Sequence, residues 1–101
     1  MAFQKIGKIT EVASGTSKSY DVGDRVVCVV NINGKFHAID DLCSHAECNM
    51  AGGSIEGNSI ECECHGSMFD VTTGQPTNPP AVAPVDVFKV QVNGDDLEVE
   101  I

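Results

Sequence analysis

The chain has 101 residues, which suits one compact domain and is short for two. Its 15 acidic and six basic residues give a formal net charge of −9, so nucleic acid and anionic membranes, which bind basic surfaces, are not expected partners. The same charge would steer the protein toward a partner with a basic docking patch, or would only keep it in solution; composition leaves both readings open.

The N-terminus predicts neither a signal peptide nor a membrane anchor. Met1–Ile6 contains no apolar segment and no twin-arginine pair. The longest apolar run, Val26–Val30, is far shorter than the roughly 20 residues that span a bilayer. We therefore expect a cytoplasmic protein, in which five cysteines indicate metal ligands or reactive thiols more than a disulfide framework.

Strand patterns dominate the first part of the chain. Ser19–Val22 leads into Arg25–Ile32, a β-branched run that is too short and too rich in valine for a helix. Asn33-Gly34 is a strong hairpin signal, and Lys35–Ile39 alternates in polarity as a return strand. Within this hairpin, Cys28 is expected to be a small buried hydrophobe.

A second hairpin is predicted at the other end. Val85–Val92 alternates with period two, Asn93-Gly94-Asp95 supplies a turn, and Leu97–Ile101 alternates back. With no Trp and only five aromatic residues, the core shared by the two hairpins must consist mainly of Val and Ile. These features predict an all-β fold, a small antiparallel β-sandwich or barrel.

The middle of the chain has a different composition. Residues 40–84 hold four of the five cysteines, five of the ten glycines and all four prolines. A stretch of this length is too long for an idle loop in a compact domain. We predict a single domain, residues 1–101, with a scaffold of about 1–39 and 85–101 and a loop-rich insert of about 40–84. A metal centre rather than a core would order this insert.

Two short motifs in the insert carry the candidate chemistry. Cys43-Ser44-His45 and Cys62-Glu63-Cys64-His65 are separated by 16 residues, and two Cys and two His can close a four-ligand site. Zinc motifs usually place two or more residues between paired ligands, whereas one Cys and one His per motif suits a binuclear iron centre. Asp40-Asp41, directly before the first motif, is expected to be solvated.

The two motifs resemble the Cys-x-His and Cys-x-x-His boxes of Rieske proteins. Phe69-Asp70, Thr73-Gly74 and Pro79–Pro84 resemble the segment that follows in that family and covers its cluster. The resemblance implies a Rieske-like fold and one [2Fe–2S] cluster per chain. It assigns Cys43 and Cys62 to the buried iron, with His45 and His65 on the outer iron.

The resemblance also assigns roles to residues around the cluster. Cys48 and Cys64 match cysteines that form a disulfide between the cluster loops in cytochrome bc-type Rieske proteins. Ser67 matches a hydroxyl donor to a cluster sulfide, and Phe69 stands where that subgroup has a tyrosine that donates to a ligand thiolate. Pro80 belongs to the covering segment. We expect an intermediate potential, roughly 0 to +150 mV, within the family's range of about −150 to +300 mV.

These assignments predict an electron carrier and not an enzyme. The expected partners are a flavin reductase upstream and a Rieske-type oxygenase or another oxidoreductase downstream, and we expect the carrier to be a monomer. Two alternatives stay open on the sequence. One is a Rieske subunit or fragment of a larger respiratory or oxidase complex, and the other is a structural zinc module that serves protein interaction.

Overall fold

A computed structural model describes residues 3–23, 25–41, 51–61, 68–78 and 85–100. Within these ranges the chain forms ten β-strands and one 3₁₀ turn, Ile9–Glu11. The strands in chain order are β1 (Phe3–Lys8), β2 (Ser17–Val22), β3 (Arg25–Ile32), β4 (Lys35–Asp40), β5 (Ile55–Glu56), β6 (Ser59–Glu61), β7 (Met68–Asp70), β8 (Pro76–Asn78), β9 (Val87–Asn93) and β10 (Asp96–Glu100). The described residues include no helix long and apolar enough to cross a membrane.

Six of these strands form one antiparallel sheet in the order β1-β10-β9-β4-β3-β2. The two edge strands approach each other, so that a Cβ added at Gly7 on β1 would come within 2.9 Å of Tyr20 Cε1 on β2. The sheet is therefore nearly closed, and the absence of a side chain at Gly7 permits the close approach.

The first predicted hairpin is confirmed. β3 and β4 pair from Val27 opposite Asp40 to Ile32 opposite Lys35. Between them, Asn33 and Gly34 adopt φ angles of 54° and 87°, the left-handed pair of a type I′ turn, which matches the twist of the two strands.

The valine run of β3 is buried on both of its faces. Val27 and Val29 pack into the interior of the large sheet, with Leu97 and Val99 of β10. Cys28 and Val30 alternate with them and face a second core cluster. A strand covered on both faces requires a continuous apolar run, which explains why this segment lacks polar alternation.

The second hairpin is also confirmed, with Val90 opposite Val99 and Val92 opposite Leu97. On β9 Phe88 and Val90 are partly buried, Val87 on the other face is 41% exposed, and the alternation ends before Val92, which is 49% exposed. β9 joins the two hairpins into one sheet, because Phe88 lies opposite Ala38 of β4.

The insert contains a second antiparallel sheet, in the order β5-β6-β7-β8. Its residues Ile60, Phe69 and Val71 are fully buried against Cys28 and Ile39 of the large sheet. The sequence led us to expect that a metal centre, and not a core, orders the insert. This expectation is incomplete, because the described part of the insert contributes side chains to the core. Strands of two or three residues are too short to show a hydrophobic period, so the sequence pattern did not predict this sheet.

Candidate metal centre

The predicted ligands fall in segments that lie outside the described residues. So do the predicted disulfide and two of the three further predicted cluster neighbours. These residues are Cys43, His45, Cys62, His65, Cys48, Cys64, Ser67 and Pro80. The structure describes the residues that flank the segments, and those residues define where each segment leaves the fold and returns to it.

The first segment, residues 42–50, begins and ends at neighbouring points. The buried Asp41 accepts a hydrogen bond at Oδ1 from the Ala51 N–H, at 2.9 Å. The Asp41 N–H donates to the Val26 carbonyl at 3.0 Å, and the Gly52 N–H donates to Ser17 Oγ at 2.8 Å. The residues that flank the first box on both sides are thus bonded to each other and to the large sheet.

The second segment, residues 62–67, connects two paired strands. Glu61 at the end of β6 lies opposite Met68 at the start of β7, and Ile60 lies opposite Phe69. The Glu61 N–H donates to the Ser54 carbonyl at 2.8 Å, so the chain just after the first segment lies beside the start of the second. The residues on either side of the second box are therefore held opposite each other by the pairing of β6 and β7.

The third segment, residues 79–84, follows β8 and returns at Val85. The Val85 N–H donates to the Gly74 carbonyl at 2.8 Å, and the Asp40 N–H donates to the Asp86 carbonyl at 2.9 Å. The chain at Asp86, just after the third segment, thus lies beside Asp40, just before the first segment.

One core cluster contains residues that lie next to or near all three segments in the sequence. It consists of Cys28, Val30, Ile39, Ile60, Phe69, Val71 and Val85, with Ala51 packed against it. Ile39 and Ala51 flank the first segment, Ile60 and Phe69 flank the second, and Val85 follows the third. Close packing among these side chains fixes the loop ends relative to one another.

Phe69 is the predicted cluster neighbour that the structure describes. It lies on β7, is fully buried, and packs in this core cluster. A phenylalanine side chain has no hydrogen-bond donor, so the described role of Phe69 is apolar packing in the core two positions after the second segment.

Asp41 differs from the sequence-based expectation. It is fully buried instead of solvated, and it is held by the backbone contacts at Val26 and Ala51. No local signal could have found it, because its side chain accepts from the Ala51 N–H ten positions further along the chain.

The third histidine and the fifth cysteine belong to the scaffold. Cys28 is confirmed as a buried core residue, and burial, followed by the charge of Asp41, raises the pKa of its thiol. His37 on β4 is half-buried, and burial, followed by the charge of Lys35, lowers its pKa. In the part of the chain that the structure describes, no group of three or more His, Cys, Asp or Glu is placed to hold a metal ion.

The chemistry of the two boxes suits a [2Fe–2S] cluster, because two cysteines and two histidines can supply two thiolates and two imidazoles. The boxes belong to two short segments whose flanking residues are held by the contacts at Asp41 and Glu61. This donor set on an all-β scaffold is typical of a small iron–sulfur electron-transfer protein.

Comparison with known proteins agrees with this class. Residues 2–89 match the family model of the Rieske [2Fe-2S] domain. Over 101 residues the chain is 35% identical to the ferredoxin component of biphenyl 2,3-dioxygenase from Rhodococcus jostii strain RHA1, covering 100% of this chain and 94% of the relative. The ferredoxin of carbazole 1,9a-dioxygenase from Nocardioides aromaticivorans IC177 has a TM-score of 0.92 at 34% identity, covering 98% of this chain and 97% of that chain.

A solved complex of reduced oxygenase and oxidised ferredoxin in carbazole 1,9a-dioxygenase also contains a similar chain. That chain has a TM-score of 0.89 at 31% identity, over 96% of this chain and 91% of its own length. The present chain belongs to the Rieske [2Fe-2S] family. Its cofactor is a Rieske-type [2Fe–2S] cluster, and it is an electron carrier and not itself a catalyst. Neither alternative, a zinc module or a respiratory subunit, is favoured by these relatives.

Proposed function

We propose that this chain accepts one electron at a time from a flavin reductase and delivers it to a terminal Rieske-type oxygenase. The observation that carries the proposal is the full-length similarity to dioxygenase ferredoxin components, at 35% identity over 100% of this chain. The related ferredoxin found in a complex with its oxygenase supports an oxygenase as the electron acceptor. The alternative to be tested is that another oxidoreductase, and not an oxygenase, accepts the electron.

Cys43, His45, Cys62 and His65 are the proposed ligands. When bound, the cluster supplies a site that gains and loses one electron, at a higher potential than an all-cysteine cluster because neutral imidazoles replace two thiolates. The chain's own contribution is to hold the residues that flank both ligand segments in place, through the core cluster at Ile60 and Phe69. Apolar packing at these flanking residues would limit the access of water to the site from the side of the core.

Cys48 and Cys64 are proposed to form a disulfide between the two loops. A bridge between them would close a chain of about 17 residues and stabilise the fold by about 3 kcal/mol in the chain-entropy model. Ser67 is proposed to donate to the cluster, and Pro80 to shield it. Mass spectrometry after alkylation of the unreduced, unfolded protein checks the bridge: it predicts three alkylated cysteines, and five would contradict it.

We further propose a single-domain, monomeric protein of the cytoplasm. The contacts that join the scaffold to the insert, through Cys28, Ile39 and Phe69, support one folding unit. One cooperative unfolding transition of the cluster-loaded protein, at a mass near 10.7 kDa in solution, is the expected behaviour.

The proposal is tested on the purified, cluster-loaded protein. We expect two irons per chain, visible absorbance, and an electron paramagnetic resonance signal only after reduction. Colourless protein that contains zinc would reject the iron–sulfur assignment. Rapid mixing of the reduced protein with a purified Rieske-type oxygenase should reoxidise it in a second-order reaction, and no reaction with any such oxygenase would reject the proposed acceptor.

Matched variants test the ligands. We expect His65→Cys to retain some iron at a lower potential, because a thiolate adds negative charge, and Cys43→Ala to abolish cluster binding. His37→Asn is the control, since His37 lies on β4 of the large sheet and outside the core cluster at Ile60 and Phe69. The control should keep two irons and the original potential. An unchanged potential in His65→Cys would remove His65 from the ligand set.

A further inference from the structure

Asp41 is a buried charged residue in a core that is otherwise mainly aliphatic. It is fully buried, next to the end of β4, and two positions before the first proposed ligand, Cys43. Burying a carboxylate is unfavourable unless it is well hydrogen-bonded. A carboxylate retained at this position therefore requires a specific role.

The contacts of Asp41 join points that are distant in the sequence. Its N–H donates to the Val26 carbonyl at 3.0 Å, which fixes the residue to β3. Its Oδ1 accepts from the Ala51 N–H at 2.9 Å, ten positions further along the chain. One side chain thus connects the first residue before segment 42–50 to the first residue after it.

The field of this carboxylate also reaches its surroundings. Asp41 raises the pKa of the Cys28 thiol, although burial of Cys28 has the larger effect. Cys28 is a member of the core cluster beneath the loops, so the negative charge lies within the apolar platform of the site. Charge in such a place is screened less by solvent than charge on the surface.

We infer that Asp41 is a positioning residue for the cluster: its buried carboxylate closes the first ligand loop by tying Ala51 back to the end of β4. The inference rests on the proposed ligands Cys43 and His45 in that loop. Loop closure lowers the entropy that must be lost when the two ligands converge on the cluster. The negative charge below the loop also opposes the arrival of an electron.

Three variants separate these effects. Asp41→Ala removes the acceptor for the Ala51 N–H, whereas Asp41→Asn keeps an acceptor oxygen and removes only the charge. Asp95→Asn is the matched control, because Asp95 is exposed and lies in the β9–β10 turn, at the end of the strands away from Val87 and Ile39. It loses the same formal charge far from the loop.

Iron release into excess chelator and the midpoint potential are measured for each variant. We expect Asp41→Ala to lose its cluster at least about ten times faster than the unmodified protein, because the Ala51 N–H loses its partner. We expect Asp41→Asn to release iron more slowly than Asp41→Ala and to have a higher potential. A tenfold gain in the equilibrium constant for reduction corresponds to about 59 mV for one electron.

Two results would overturn the inference. One is Asp41→Ala releasing iron within about twofold of the unmodified rate. If that variant does not fold, the other is Asp41→Leu, a side chain of similar size without an acceptor, releasing iron no faster than Asp41→Asn. Unmodified protein without an iron–sulfur cluster would instead reject the proposed function, so the two failures are distinguishable.

Discussion

The turn after β7 depends on the side chain of Asp70. Its Oδ1 accepts from the Thr72 hydroxyl and from the Thr72 N–H, the latter at 2.8 Å. The Gly74 N–H donates to the Asp70 carbonyl at 2.7 Å, so the same residue organises the whole turn toward β8. The hydroxyl of Thr72, followed by its backbone N–H, lowers the pKa of the Asp70 carboxyl.

This pKa shift predicts the sign of a pH effect. Because the folded pKa of Asp70 is depressed, its contribution to stability is present above the unfolded value, about 3.9, and is lost as pH falls through the folded value. We expect Thr72→Val to lower the free energy of unfolding by about 0.5 kcal/mol near neutral pH, the lower end for a hydrogen bond because both side chains are exposed. The difference in unfolding free energy between Thr72→Val and the unmodified protein should become smaller below the folded pKa of Asp70.

Urea unfolding across the pH range measures this difference. Thr77→Val is the matched control, because Thr77 Oγ1 lies 3.4 Å from Ser59 Oγ and not beside a carboxylate. Its effect should be the same at every pH. A Thr72→Val effect that persists unchanged at acid pH would show that the Asp70 interaction is not its cause.

At the scale of elements, the return from β8 to β9 depends on Gly74. This residue has a φ of +78°, and a Cβ there would overlap the carbonyl oxygen of Val85. The contact is with backbone, so side-chain rotation cannot relieve it. Close approach at Gly74 is what allows its carbonyl to accept the Val85 N–H.

We therefore expect Gly74→Ala to destabilise the fold by about 2 kcal/mol or more, because strain at positive φ adds to the overlap. Gly94→Ala is the control for strain alone, since Gly94 has a φ of +64° and no atom within 4 Å of its Cβ position. It should cost about 1 kcal/mol. Urea unfolding measures both, and equal losses would contradict the role of the Val85 contact.

Some elements were predictable and others were not, for one physical reason. β3 and β4 were predicted because Asn33 and Gly34 favour the left-handed turn by themselves. β5 to β8 are two or three residues long and are stabilised by contacts with each other and with Cys28 and Ile39. Contacts of that kind join distant parts of the chain, so they leave no local period in the sequence.

Over the whole molecule, positive and negative charges are separated. Residues 36–88 contain eight acidic residues and no Lys or Arg. Of the six basic residues, four form ion pairs within the fold: Lys5 and Lys8 with Asp96, Lys18 with Glu11, and Arg25 with Asp86. The part of the chain that carries both ligand boxes is therefore uniformly acidic, which favours steering toward a basic partner surface over a role in solubility alone.

This separation predicts a salt dependence. We expect the second-order rate constant for electron delivery to a basic oxygenase to fall by at least about tenfold between about 0.01 M and about 1 M salt, as the Debye length drops from about 30 Å to about 3 Å. Rapid-mixing kinetics of the reduced protein at several salt concentrations measure it. A rate constant that does not depend on salt would indicate that the acidic charge serves solubility only.

A pair of variants locates the effect. Glu61 ends β6 directly before the second box, and Asp95 lies in the distant β9–β10 turn. Glu61→Gln should slow the reaction at low salt more than Asp95→Asn, and the two should converge at high salt. Equal slowing by both would indicate that net charge matters and its position does not.

The sequence by itself determined the two hairpins, the all-β class and the pair of boxes that indicates a Rieske cluster. Those features are local, because turn residues, alternation and ligand spacing act over a few positions. Only the tertiary structure decided that Ile60 and Phe69 are core residues and that Asp41 is buried and bound to Ala51. These depend on contacts between segments far apart in the chain, and such contacts hold the residues that flank the proposed ligand segments.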